Sequence, residues 1–381
     1  MIESFLVYGG LMVVMILLGF TSINYYKKSG TYSLNLYLGF ICLAVLIFAT
    51  VFGARYNVGI DHLSYLSIYQ EYGKGYEVRD TFEPGFVWIN KFYTGLGLHF
   101  FFYFFTFALL QILFIVLALQ RWKETIPFVF FVLMCGPFMG WMNIMRQEIV
   151  VCIFIWLIMT IEKRNFLNYT LWIIACAFFF HKSAIILIPL YPLIKSGRNY
   201  SGPVKFQLII FSICLFMGYT HFILTKLEGV AQLAVLIGYG ENYGDIDNFD
   251  VFFKHDYNWG IRSWLNILLI YFTILISNTV KDYYKDKSVV SLYTLFFWGS
   301  CCSTVTMGID VIGRIFTYFS GLAFVVYGLS LYLLWRKRKE SQKVMLRYLG
   351  YTLLNLLVFF GTLYGAAEAD SSAQFQFFWQ V

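Results

Sequence analysis

Long apolar runs restrict this chain more than any other feature. Phe5–Gly19, Phe100–Leu119, Phe206–Met217 and Ile315–Leu334 contain no charged residue. Runs of this kind, and above all those near 20 residues, fit helices that satisfy their own backbone hydrogen bonds in lipid. Only 13% of the 381 residues are charged, too few to cover the surface of a soluble domain of this length. The expected fold class is therefore all-α: a polytopic membrane protein with about twelve spans.

Residues 1–381 are read as a single transmembrane domain. Two long non-spanning stretches interrupt it, 54–97 and 225–260, and residues 365–381 form a short tail. The part of the tail from Glu368 to Val381 is expected to be disordered. The first run, Phe5–Ile23, reads as a retained span. It follows Glu3 rather than a basic segment and lacks a small-residue cleavage site. The fourth to seventh expected spans are short: Ile126–Trp141, Gln147–Ile161, Phe166–Phe180 and Ser183–Ile194. Within 54–97, Phe86, Ile89 and Phe92 recur near helical spacing, which predicts a surface helix over Gly85–Gly97. The seven cysteines all fall in apolar runs without metal-ligand spacing, so they read as small packing residues.

Charge sets an orientation. With the N-terminus outside, the inner loops are Tyr25–Lys28, Arg121–Lys123, Glu162–Arg164, Lys195–Lys205, Lys281–Lys287 and Arg336–Arg347. They collect 18 Lys and Arg against 4 acids, as the positive-inside bias requires. Both termini and the two long stretches then face outward.

Polar residues beside apolar runs usually face a cavity or a partner, because lipid penalises them. Five such places map to the outer side. Arg55 and Asp61 bracket Gly59 in a stretch continuing to Tyr65; an exposed ion pair explains them as well as a polar pocket does. Glu83 precedes Pro84-Gly85, either as a held carboxylate or as a helix cap. Arg146 and Gln147 lie in a tight turn between short spans, where Arg146 either grips phosphate or snorkels to headgroups. His181 and Lys182 sit in a similar turn, suited to proton transfer or to interhelical bonding. Asp310 and Arg314, four residues apart, share a helix face as a site or as a structural pair. His62, His99, His255 and Arg262 are weaker candidates. There is no Gly-rich nucleotide loop and no metal cluster in the sequence. Several cations at one membrane face suit a phosphate or diphosphate ligand, and the acids among them offer a base.

Four of these motifs occur in order: Arg55…Gly59-Ile60-Asp61…Tyr65, Glu83-Pro84-Gly85-Phe86, Met145-Arg146-Gln147 and His181-Lys182-Ser183-Ala184. In that order the chain resembles the EpsG-like branch of the Wzy-type polymerases, which build O-antigen, capsule and exopolysaccharide. The Arg314 element is a looser match. The resemblance implies a GT-C-like membrane glycosyltransferase in the bacterial cytoplasmic membrane, with its site facing outward. It implies metal-independent, inverting transfer without a cofactor. Undecaprenyl-diphosphate-linked oligosaccharide serves as donor and acceptor, and a chain-length regulator and a flippase are expected partners. No nucleic-acid partner is expected.

Under that resemblance Arg146, Arg314, Arg55 and Lys182 hold the diphosphate. Asp61 is the first choice of base, with Glu83 and His181 behind it. Tyr65, Gln147 and Asp310 contact acceptor or sugar. Three rivals stay open: an O-antigen ligase differing in acceptor, a polytopic O-acyltransferase using His181 as base, and a lipid-linked oligosaccharide flippase. A flippase favours polar residues spread through the bilayer or related halves, and the sequence has neither.

Overall fold

The computed structural model describes residues 2–28, 30–76, 82–222, 259–307, 310–366 and 374–380. Among these residues no sheet forms, and one isolated antiparallel bridge joins Arg55 to Phe377. The chain is an all-α membrane protein. Its helices are α1 (Ile2–Tyr26), α2 (Thr31–Gly53), α3 (His62–Gly73), α4 (Pro84–Gly95), α5 (Phe100–Ala118), α6 (Ile126–Cys135), α7 (Phe138–Asn143) and α8 (Met145–Met159). They continue with α9 (Phe166–Phe179), α10 (Tyr191–Ser196), α11 (Val204–Tyr219), α12 (Ile261–Tyr284), α13 (Lys287–Val305), α14 (Asp310–Ser320), α15 (Ala323–Lys337) and α16 (Gln342–Ala366).

Among the described residues seven helical stretches are long and apolar enough to cross a membrane, and α9 and α11 are shorter apolar helices. The expectation was about twelve spans, and the difference falls on the middle of the chain. Phe100–Cys135 counts as one stretch. Its backbone nevertheless leaves helical geometry at Trp122 (φ −124°, ψ 48°), where α5 passes into α6 through a 3₁₀ turn. The other expected short spans really are short. α6 has 10 residues, α8 15 and α9 14. At 1.5 Å per residue these fall well below the ~30 Å of a hydrocarbon core. The segment after α9 is a 3₁₀ helix, Lys182–Leu190, which holds Pro189 and gives way to α10.

α1, α2, α5 and α8 pack in sequence, and α6 lies between α1 and α15. α13 packs on α11 and α14, and α16 packs on α12 and α15. α8 is the centre: nearly every residue from Met145 to Met159 is buried. The basic turns gather at one end of the bundle. There Lys27 pairs with Glu124 at 3.4 Å, and Arg121 reaches Glu162 at 2.8 Å and Asp286 at 3.1 Å. The Lys195 ammonium donates to the carbonyls of Ile161, Glu162 and Arg164. The motif residues lie at the opposite end, where α2 and α9 stop and α8 starts.

The surface helix expected over Gly85–Gly97 is present as α4, with Phe86 buried and Trp88 and Phe92 exposed. The stretch 225–260 lies almost wholly outside the described residues. The tail corrects an expectation. Residues 374–380 are ordered against the motif end rather than disordered: Phe375 is buried, its amide donates to Ser4 Oγ, and Tyr56 and Phe378 exchange backbone bonds with Gln376 and Ala54. Aromatic residues at 375, 377, 378 and 379 supply the apolar surface that a short polar tail would lack.

Candidate functional site

The site grows from a loop, the start of a helix and two tight turns. After α2 the chain runs through Asn57 (φ 52°) and Gly59 (φ 95°) before α3 begins. A Cβ at Gly59 would meet the Met142 carbonyl oxygen at 3.0 Å, so only glycine lets this loop lie on the end of α7. Asn143 Oδ1 then accepts the Asp61 amide at 3.0 Å and fixes the acid's position. Glu83 occupies the N-cap of α4 in extended geometry, with Pro84 next. Gly85 sits against α9: a Cβ there would lie 2.5 Å from Phe179 Cδ1 and 2.6 Å from its Cα. That close approach brings Glu83 to the turn after α9.

There Glu83 meets two motifs at once. Its Oε2 accepts from Arg146 Nη1 at 2.5 Å, and its Oε1 accepts the Lys182 amide at 3.0 Å. Glu83 is 7% exposed. The Arg146 guanidinium lies over three rings, Phe86 at 4.6 Å, Phe82 at 5.2 Å and Tyr65 at 5.9 Å. Aromatic faces and one carboxylate hold this cation in place, and its side chain keeps 17% exposure.

His181 adopts extended geometry between α9 and the 3₁₀ helix. Its Nδ1 bonds Ser183 Oγ at 2.6 Å, and Ser183 Oγ bonds the Tyr318 hydroxyl of α14 at 2.8 Å. Among the described residues nothing bonds its Nε2. Burial pushes the imidazole down to about 4; Arg146 acts the same way, Glu83 opposes, and Arg314 and Lys182 add to the fall. The ring is therefore neutral near pH 7. Gln147 is buried and donates through Nε2 to the Arg314 carbonyl, tying α8 to α14.

Asp61 and Arg314 complete the group. The Asp61 carboxylate has no hydrogen-bond partner among the described residues. Burial raises its pKa, against the pull of Arg314 and then Arg146. Arg314 is exposed, with no carboxylate partner among the described residues. The Lys182 side chain is also exposed. The structure thus brings Asp61, Tyr65, Glu83, Arg146, Gln147, His181, Lys182 and Arg314 together at one end of the bundle.

Arg55 stands apart. It is 2% exposed, donates to the carbonyls of Phe52 (2.5 Å) and Met142 (3.1 Å), and lies 4.8 Å from the Phe104 ring. Its contacts hold the loop to α2 and α7. Asp310 opens α14, but its side chain lies outside the described residues, as does His255. His62 is buried and stacked 4.5 Å from Phe104, and His99 Nδ1 accepts the Phe101 amide at the start of α5. Arg262 lines a separate cavity. Ser183, Tyr318 and Asn143 were not singled out as site residues from sequence. Ser183 lies within a quoted motif, and Asn143 is three residues before Arg146. Tyr318 carries no signal beyond its place one helical turn after Arg314.

What this group can do chemically is bounded by its ion balance. Glu83 is engaged through both oxygens. Among the described residues the Asp61 carboxylate, the Arg314 guanidinium and the Lys182 ammonium have no hydrogen-bond or ion-pair partner, which suits them to a ligand. No group of three or more His, Cys, Asp or Glu among the described residues could hold a metal ion. No curated protein and no solved structure gives a significant match. The family model described as the EpsG family matches residues 37–377, which takes in every element of the site, and the chain belongs to the EpsG family.

Proposed function

We propose that this protein is an exopolysaccharide polymerase that transfers a growing glycan from undecaprenyl diphosphate to the next lipid-linked repeat unit at the outer face of the cytoplasmic membrane. The observation that carries the reading is the Arg146–Glu83 pair beside Arg314, Lys182 and a neutral His181. It offers cations for a diphosphate leaving group, and the Asp61 carboxylate beside them is without a partner among the described residues.

In the reaction, the acceptor hydroxyl oxygen attacks the anomeric carbon and a new carbon–oxygen bond forms. The bond from that carbon to the diphosphate oxygen breaks, and the electron pair leaves with undecaprenyl diphosphate. Arg146 and Arg314, with Lys182, neutralise the charge that grows there. Asp61 takes the acceptor proton. Glu83 acts by holding Arg146 rather than as a base, because both its oxygens are engaged. Arg55 acts through the loop it anchors. Tethering both substrates in the membrane supplies much of the acceleration.

The orientation rests on the gathering of basic turns at the far end of the bundle. The test is direct: purified protein receives a defined undecaprenyl-diphosphate repeat unit, with neither metal nor nucleotide. A ladder of lengthened products is expected. Products seen only when an acyl donor is added would replace this reading with acyl transfer by the His181–Ser183 pair.

A further inference from the structure

A second compartment lies beside the Arg146 cluster, in the same end of the bundle. It is a cavity of about 360 Å³, bounded where α6 stops, α12 starts and α13 stops. Two elements wall both compartments. In α8, Arg146 faces the cluster, while Glu148, two residues on and about 200° round the helix, lines the cavity. In α14, Tyr318 reaches Ser183 while Thr317 lines the cavity.

Some polar groups of the cavity have no partner among the described residues. Glu148 is 7% exposed, and no described residue hydrogen-bonds its carboxylate. Ser303 Oγ is buried and without a partner. Such groups are costly unless something bonds them. Asn355 uses its Nδ2 on the Tyr351 carbonyl at 2.8 Å, which leaves its Oδ1 as an acceptor. The Trp141 and Phe324 rings, 5.7 Å apart and edge-on, give the cavity flat apolar walls. The charged residues lining the cavity are one cation, Arg262, and one acid, Glu148. That balance does not select for a diphosphate. Hydroxyl, amide and carboxylate groups beside aromatic faces suit a ligand dense in hydroxyls with apolar ring faces.

We propose that this cavity is a carbohydrate subsite that seats one neutral sugar residue of the glycan next to the bond being made. The proposal rests on the polymerase reading and adds a place for the chain behind the Arg146 cluster. It gives Glu148 the role of accepting sugar hydroxyls, with no part in the chemistry.

The test uses the full chain in lipid nanodiscs, titrated calorimetrically with neutral fragments from partial hydrolysis of the polysaccharide the host strain exports. Ser303→Phe fills the cavity, and Glu148→Gln keeps its shape. Each is expected to weaken fragment binding by about tenfold or more, while Arg146→Ala changes it by less than about threefold. Fragment binding unaltered in Glu148→Gln overturns the subsite, as does wild-type protein that binds no fragment. So does inorganic pyrophosphate that displaces fragments from wild type but not from Glu148→Gln. Should Ser303→Phe fail to insert, the nearly isosteric Glu148→Gln still decides. Absence of any product ladder from wild type would sink the polymerase reading while leaving the binding result standing. Loss of elongation in Arg146→Ala, with fragment binding indifferent to Glu148, would sink the subsite alone.

Discussion

The Glu83 carboxylate and the Arg146 guanidinium meet at 2.5 Å across 63 residues of chain, and the second oxygen of Glu83 takes the Lys182 amide. One acid therefore joins three motifs that lie on α4, α8 and the turn after α9. Glu83→Gln preserves an acceptor for Lys182 but leaves Arg146 without its counter-charge. Removing one partner of a buried pair costs about 3 kcal/mol or more. We expect a fall of several degrees in melting temperature in detergent, together with a large loss of elongation. Unchanged melting and unchanged product ladders would show the pair to be idle.

Arg146→Lys tests geometry apart from charge. A lysine keeps the positive charge but lacks the planar fork that reaches a carboxylate and a phosphate together. The Phe86, Phe82 and Tyr65 faces that hold the guanidinium fit an ammonium less well. Elongation is expected to drop about 100-fold, the size associated with losing one preorganised group at a developing charge. Membrane level, measured by quantitative blotting, stays at wild type. Near-normal ladders from Arg146→Lys would mean that any cation suffices there.

The membrane class, the surface helix α4 and the clustering of the ordered motifs were all legible in the sequence, because each rests on apolar periodicity or on polar residues misplaced in apolar surroundings. Arg146 and His181 stood out for that reason. The number of crossings was not legible: a run of apolar residues does not say whether α6 or α8 is a full span or a short central piece. Nor was the division of labour among charges. Arg55 and Arg146 both border apolar runs, yet Arg55 is buried on two carbonyls and Arg146 on a carboxylate. Only the tertiary arrangement decides that. The docked tail was not legible because Phe375 packs on Tyr8 of α1 and Phe378 on Phe100 of α5, both far away in sequence.

His181 makes a prediction about pH. Its folded value, about 4, lies below the ordinary 6.5 of a histidine. Between those values the unfolded chain binds a proton that the folded one refuses, so stability is held above about pH 6.5 and lost as pH falls toward 4. The shift corresponds to roughly 3–3.5 kcal/mol at most. Thermal unfolding followed from pH 7 to 4 should show this loss, and His181→Asn should flatten it. Elongation should show no inflection at the usual histidine pH, since the ring stays neutral well below it. An activity midpoint near 6.5 that vanishes in His181→Asn would contradict the buried, cation-flanked imidazole.

The tail is predicted to act on the site through the Asp61 loop. Tyr56 donates to the Gln376 carbonyl at 2.8 Å, and Phe378 donates to the Ala54 carbonyl at 3.0 Å. These bonds flank Arg55 and lead directly into the left-handed turn at Asn57 and Gly59 that delivers Asp61. The tail is in turn held by Ser4, by Glu3 through Gln380 and by the His99 ring 4.8 Å from Phe378. Deleting residues 374–381 removes no spanning helix, so insertion and membrane level should persist. The loop would lose two backbone bonds, worth about 1 kcal/mol each, and Asp61 would lose its fixed approach. Elongation is then expected to fall by about tenfold, with protection of the 54–61 amides from hydrogen exchange reduced. A truncated protein that elongates at the wild-type rate, with those amides still protected, would show that the loop holds its shape without the tail.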